Sequence, residues 1–176
     1  MTRKPKANGF SMIELMVVVG IIGIILVFVV PNFIGMQRRL RARAGAMEIA
    51  QDIRQARERA LAQGGDFRFT FDNGAKPKHY TITRPDGTSN TYTLAGSTGG
   101  DVWFGCGGAF AGNPVEGSVP APGANGIDFP NRTLVLDSRG GANRGVIYVT
   151  NGNLNYAIGI NAIGKTKVYT FSGSWY

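Results

Sequence analysis

One cysteine and one histidine stand among the 176 residues, and that scarcity excludes several kinds of chemistry at once. Cys106 closes no intramolecular disulfide and founds no multi-cysteine zinc or iron–sulfur site. His79 makes no histidine-based metal cluster, and within HYTIT it reads as a solvated hairpin residue rather than the base of a Ser–His triad. One nucleotide-binding string is formally present, because Gly159-Ile160-Asn161-Ala162-Ile163-Gly164-Lys165-Thr166 satisfies G-x-x-x-x-G-K-[ST]. Such a loop must open a helix whose N-terminus receives phosphate, whereas strand-like VYTFSGSWY follows here, so a β-turn is expected. No catalytic residue, metal ligand or cofactor is assigned, and the chain reads as a non-enzyme.

Charge is also scarce, at 17% of residues, and it is unevenly placed. A hydrophobic content of 43% supports a core despite 26 glycines, and the length suits one domain. Between Glu14 and Arg38 lie 23 uncharged residues, LMVVVGIIGIILVFVVPNFIGMQ. At a helical rise of about 1.5 Å per residue this run spans a hydrocarbon core of about 30 Å. Leu15 to Val30 has no polar face, which separates it from a buried core helix. The run exceeds the usual signal-peptide core of about 7–15 residues, and no A-x-A-like site follows it. Arg3, Lys4 and Lys6 precede the span while Arg38, Arg39, Arg41 and Arg43 follow it, so the positive-inside rule gives no orientation. Glu14, at the edge of the run, either sits in the headgroup layer or needs a partner, since burying a carboxylate costs about 2.5–3.5 kcal/mol.

Gly9-Phe10-Ser11-Met12-Ile13-Glu14-Leu15, after a short basic leader and before an apolar helix, resembles the cleavage and assembly motif of type IV pilins and pseudopilins. The resemblance implies a leader over 1–9, removed by a prepilin peptidase that cuts after Gly9, and N-methylation of the new terminus on Phe10. Glu14 then becomes the fifth mature residue and Pro31 the twenty-second, both matching positions used in filament assembly in that family. It also implies a single-pass protein of the bacterial inner membrane, with a cytoplasmic leader and an extracytoplasmic head that passes into a periplasmic or extracellular filament. In such a filament the Glu14 carboxylate can neutralise the Phe10 ammonium of a neighbouring subunit.

The helix is expected to continue, because RRLRARAGAMEIAQDIRQARERALAQ is rich in good helix formers, and to stop at Gly64-Gly65. Residues 10–36 form the transmembrane and assembly part, and 37–63 an amphipathic part that enters the head. Ala46, Ile49, Ala50, Ile53, Ala56 and Ala60 make one apolar stripe that should face a sheet, with Arg54, Arg57, Glu58 and Arg59 outside it. Pro31 is expected to kink or locally melt the helix, with Gly35 and Gly45 as further weak points. Residues 64–176 read as β-structure: alternating Phe67, Phe69 and Phe71; HYTIT and TYTL around Pro85-Asp86-Gly87-Thr88; strands near 127–129 and 133–136; GVIYVT and NLNYAIGI around Asn151-Gly152; and KTKVYTF. The stretch 87–126 holds 11 of the 26 glycines and is expected to be a long irregular surface excursion. The fold class is α+β, a long N-terminal hydrophobic helix packed on a C-terminal antiparallel sheet.

The helix-then-strands order and the C-terminal run from Ile127 to Tyr169 are similar to the GspH/FimT group of minor pilins and pseudopilins. That resemblance implies a structural minor subunit of a type IV pilus or type II secretion filament, with other pilins or pseudopilins as partners. The alternative it carries is a FimT-like DNA-binding minor pilin in natural transformation. Gly164-Lys165-Thr166-Lys167 occupies the place of the basic element of DNA-uptake members, with lysines for arginines. Lys165, Lys167, Arg132, Arg139 and Arg144 are the candidate DNA contacts. Residues 64–176 carry nine basic against seven acidic groups, so the long-range field of the head is weak.

Overall fold

A computed structural model describes residues 10–74, 77–95, 98–107, 116 and 125–176. Residues 1–9, where a leader ending at Gly9 is expected, and most of 108–124 lie outside the described residues. The first element is one helix, α1, Met12–Gln63. It ends on Gly64, whose φ of +67° fits the left-handed cap and whose N–H donates to Ala60 O at 2.9 Å. The boundary between two compact units, Met1–Gln37 and Arg38–Tyr176, falls within this helix.

The expected local melting at Pro31 is corrected. Helix α1 runs through Pro31 and Gly35 without interruption. Proline's ring imposes a helical φ, so the backbone loses one N–H without having to leave the helix. Gly45 is a contact position instead of a soft joint: a Cβ there would lie 3.1 Å from Leu94 Cδ1 and 3.2 Å from Ala95 O.

Among the described residues nine strands follow, in two antiparallel sheets. The first sheet contains β1 (Phe67–Asp72), β2 (His79–Thr83), β3 (Ser89–Thr93) and β6 (Thr133–Leu136), in the order β3-β2-β1-β6. The second contains β4 (Trp103–Phe104), β7 (Gly145–Thr150), β8 (Asn155–Ile160) and β9 (Thr166–Thr170), in that order, with β5 (Ile127–Asp128) also paired to β7. One core joins both sheets to the helix. Ala42, Ala46, Ile49, Ala50, Ile53, Ala56 and Ala60 are buried against Phe67, Phe69, Phe71, Tyr80, Leu134 and Leu136 of the first sheet and Ile147, Val149, Ile158 and Ile160 of the second. Small alanines on the helix let its backbone approach two sheets whose bulk comes from aromatic and branched residues.

Strands β7 and β8 are buried along their whole length. Their outer faces hold a second cluster of Val146, Tyr148 and Ala157 with Cys106 and Tyr169, against which Trp175 packs. Strand β8 begins at Asn155, because Asn151 Oδ1 accepts from the N–H groups of Asn153 and Leu154 and so lengthens the turn. The glycine-rich stretch is more than a surface excursion: besides the strand expected at TYTL, its described residues supply β4 and bury Leu94, Val102, Phe104 and Cys106.

Candidate functional site

The N-terminal half of α1 carries the first group of candidate residues. From Phe10 to Met36 every large apolar side chain described is exposed, and no part of the membrane-length window is buried. Such a surface is stable only in lipid or against other apolar helices. Glu14 lies in the first turn, the only acidic residue there, where a carboxylate also complements the positive end of the helix dipole. Pro31 sits in the helix backbone of the same segment.

The start of the head is marked by a carboxylate. Asp101 takes Arg41 Nη1 at 2.8 Å and Arg38 Nε at 3.6 Å, while Asn151 Nδ2 donates to Arg38 O at 3.1 Å. Two of the four arginines that follow the apolar run are therefore engaged by the head's own loops. No local pattern marks Asp101, because its partner Arg41 stands sixty positions away. Further along the same helix, Asp52 Oδ2 accepts from Tyr80 OH at 2.6 Å. Burial first, then the hydrogen bond to Asp52, hold the Tyr80 phenol well above its ordinary range. Burial and the neighbouring Asp52 charge also push the Glu48 carboxyl up.

The five basic residues singled out from the sequence do not form one patch. The turns carrying Arg139 and Lys165 are brought together: Ala142 N donates to Ala162 O at 3.0 Å, and Arg57 Nε donates to Gly140 O at 2.8 Å. Gly164 permits this approach, since a Cβ there would lie 2.3 Å from Gly140 O. Arg54 Nη2 reaches Thr166 O at 3.3 Å, so two helix arginines from outside the apolar stripe join this corner. Asp137 Oδ1 lies in it too, accepting from the N–H groups of Arg139 and Gly141. Arg144 immediately precedes β7, whose first residue Gly145 pairs with Ile160, itself paired with Thr166. Arg132 stands apart at the opposite end of β6 from Asp137, in a short 3-10 turn (Pro130–Arg132). Lys167 lies over the Tyr169 ring, 4.5 Å from its centroid, and Tyr169 OH donates to Glu116 Oε2 at 2.5 Å. Burial, then that hydrogen bond, pushes the Tyr169 phenol up to about 12.

The nucleotide-binding string is a hairpin turn. Its first glycine is in β8, Asn161 O accepts from Gly164 N, and β9 rather than a helix follows. Cys106 is buried beside Tyr148, and His79 Nε2 lies 3.5 Å from Asp72 Oδ2 at the end of a strand pair.

Comparisons with known proteins bear on both halves. The prokaryotic N-terminal methylation motif matches residues 4–30, and the family described as type II transport protein GspH matches residues 45–164. The type IV wide pilus major component PilA4 of Thermus thermophilus is 26% identical over 104 residues, covering 56% of this chain and 79% of that protein. Among solved structures, the minor pseudopilin EpsH from the type 2 secretion system of Vibrio cholerae aligns with a TM-score of 0.46 at 17% identity, covering 73% of this chain and 94% of that one.

Proposed function

This chain belongs to the family of type II transport protein GspH and carries the N-terminal methylation motif, and from that premise we propose that it is a non-enzymatic structural subunit of a type IV pilus or type II secretion filament. The observation that carries this reading is the division of one helix between two environments: exposed apolar residues up to Met36, then a buried alanine-isoleucine stripe from Ala42 to Ala60. The first part holds the protein in the inner membrane as a single span and later packs with the helices of other pilins or pseudopilins. The second part is the spine of an extracytoplasmic head. A prepilin peptidase removes residues 1–9, and the ammonium left on Phe10, N-methylated, pairs with Glu14 of a neighbouring subunit. Pro31 lies in the assembling segment. Co-expression with a prepilin peptidase should shorten the chain by the nine-residue leader, and Gly9→Val should abolish the shift. An intact leader in assembled filaments would refute this account of the N-terminus.

A second reading adds DNA to the partners. The meeting of the Arg139 and Lys165 turns with Arg57 supports it, because three separate segments that each carry a basic residue come together at one corner. Asp137 in the same corner, and the stacking of Lys167 on Tyr169, limit it to weak, salt-sensitive phosphate contact.

A further inference from the structure

Strand β3 ends the first sheet, and all five of its residues, Ser89-Asn90-Thr91-Tyr92-Thr93, are exposed. Among the described residues no strand pairs with its outer edge. The ladder to β2 fixes which groups face outward. Arg84 N donates to Thr88 O and Leu94 N donates to Lys78 O, so the alternation of an antiparallel pair makes Ile82–Asn90 and Tyr80–Tyr92 the bonded pairs. The N–H and C=O groups of Ser89, Thr91 and Thr93 therefore point away from the sheet. Natural edges are guarded by charge, proline or a bulge, and this strand has no charged residue and no proline.

The two flanks of that edge differ. On the outer face, Thr81 Oγ1 meets Thr91 Oγ1 at 3.0 Å and Thr83 Oγ1 meets Ser89 Oγ at 2.9 Å, a flat hydroxyl surface. On the helix side, a recess is lined by Tyr92 and Asn90 from β3, Arg84 and Ile82 from β2 and its turn, and Asp52 and Arg59 from α1. Tyr92 stacks on Tyr80, with ring centroids 5.7 Å apart, and Arg84 Nη1 donates to Thr88 Oγ1 at 3.2 Å. The Asp52 carboxylate accepts a hydrogen bond from Tyr80 OH, so the recess offers an incoming side chain two guanidinium groups and one already engaged acid.

We propose that β3 is a docking edge for an extended segment of a partner polypeptide, which adds as a further strand and places an acidic side chain in the recess beside Arg59 and Arg84. Alternate residues of that segment lie on the hydroxyl face, where small polar or β-branched side chains fit. Backbone bonds to Ser89, Thr91 and Thr93 supply the register, and the two arginines select the sequence. A second copy of this chain is the poorer occupant, since its own β3 would bring Asn90 and Tyr92, neither acidic, to the recess. This goes beyond the filament reading, because it requires only the head surface.

The test uses the full chain in detergent micelles and a synthetic peptide, Thr-Val-Thr-Glu-Thr-Val-Thr, capped at both ends. Binding should slow hydrogen exchange at the Ser89, Thr91 and Thr93 amides and leave Asn90 and Tyr92 unchanged. Methylating alternate peptide nitrogens, or replacing its Glu by Lys, should weaken binding at least about tenfold, roughly the loss of one charge-assisted hydrogen bond. Thr91→Pro should fold normally, because the amide it removes is not used by β2, and should lose binding. Arg84→Glu should reverse the preference towards the Lys peptide. Unchanged affinity on N-methylation of the peptide overturns strand addition, and an unreversed preference in Arg84→Glu overturns the role of the recess. Protection of the same amides that rises with protein concentration alone would show self-pairing and overturn the choice of partner.

Discussion

Removing the N-terminal half of α1 and removing all of it should have opposite consequences. A fragment beginning at Arg38 keeps every buried helix residue, while one beginning at Gly65 loses Ala42, Ala46, Ile49, Ala50, Ile53, Ala56 and Ala60. The two isoleucines are fully buried, and such side chains contribute about 1.5–3 kcal/mol each, with each alanine methyl adding about 0.8 kcal/mol. Together that is on the order of 8 kcal/mol, comparable to the whole stability of a domain at about 5–15 kcal/mol. Phe67, Phe69, Tyr80, Leu134 and Ile158 would meanwhile be left facing water. Urea unfolding with sedimentation is the assay. The fragment from Arg38 should be monomeric with one cooperative transition, and the fragment from Gly65 should aggregate or bind a hydrophobic dye without a transition. A monomeric, cooperatively unfolding fragment from Gly65 would refute the claim that the helix is part of the head's core.

Glu14→Ala should remain in the membrane fraction yet enter filaments poorly, because it leaves the neighbour's Phe10 ammonium unpaired at several kcal/mol if buried; normal incorporation would sink the pairing. Gly164→Ala should lower stability by about 1–3 kcal/mol, measured by thermal unfolding, since φ is +72° and the new Cβ would press on Gly140 O and Arg57. Gly87→Ala, at φ +83° with open space around it, should cost less. Tyr169 should stay protonated up to about pH 12 in the folded protein. Its unfolded form ionises near pH 10, so the stability it contributes is complete below about pH 10 and lost as pH rises towards 12; Tyr169→Phe should remove that component from the pH profile. Replacing Arg139 and Lys165 together by Glu should reduce any low-salt binding of duplex DNA, read by anisotropy, and leave filament assembly unchanged; binding that survives would eliminate that corner as the contact.

Local patterns were legible where the partner of a residue lies close in sequence. The alanine-isoleucine stripe, the Gly64 stop and the Arg84–Thr88 turn, with Gly87 at φ +83° and Thr88 N on Asp86 Oδ1, all follow from short-range spacing. The glycine-rich stretch was misread because its glycines answer to distant backbone. A Cβ on Gly126 would lie 2.3 Å from Gly105 N, and one on Gly107 would lie 2.3 Å from Asn155 Oδ1, so these residues permit close strand and loop approach. Composition alone registers the same residues as flexibility. Strand β4 is two residues long and exists through Thr150 and Val149, which no local pattern announces. The same holds for the site residues: Glu14 and Phe10 stand in a contiguous motif, whereas Asp101, Arg54 and Arg57 acquire partners only through folding.

Dividing one helix between two compact units has a consequence for how its variants behave. Asp101 holds Arg38 and Arg41, so the head's grip begins within a residue or two of the boundary at Gln37. Arg38 and Arg41 are 59% and 48% exposed in their side chains, and such pairs contribute at most about 1 kcal/mol. The grip is therefore positional: it fixes where the helix starts to belong to the head, while Ile49, Ile53 and the alanines supply the energy. Among the described residues the buried helix positions begin at Ala42, and the apolar side chains described before Gln37 are exposed. The effects of substitutions on the two sides of that boundary should then add. Glu14→Ala should leave the melting curve of the head where it was, Ile53→Ala should lower it by about 2–5 kcal/mol, and the double variant should match the second alone within about 0.5 kcal/mol. A coupling well above that value would mean that the membrane half of the helix and the head fold as one unit.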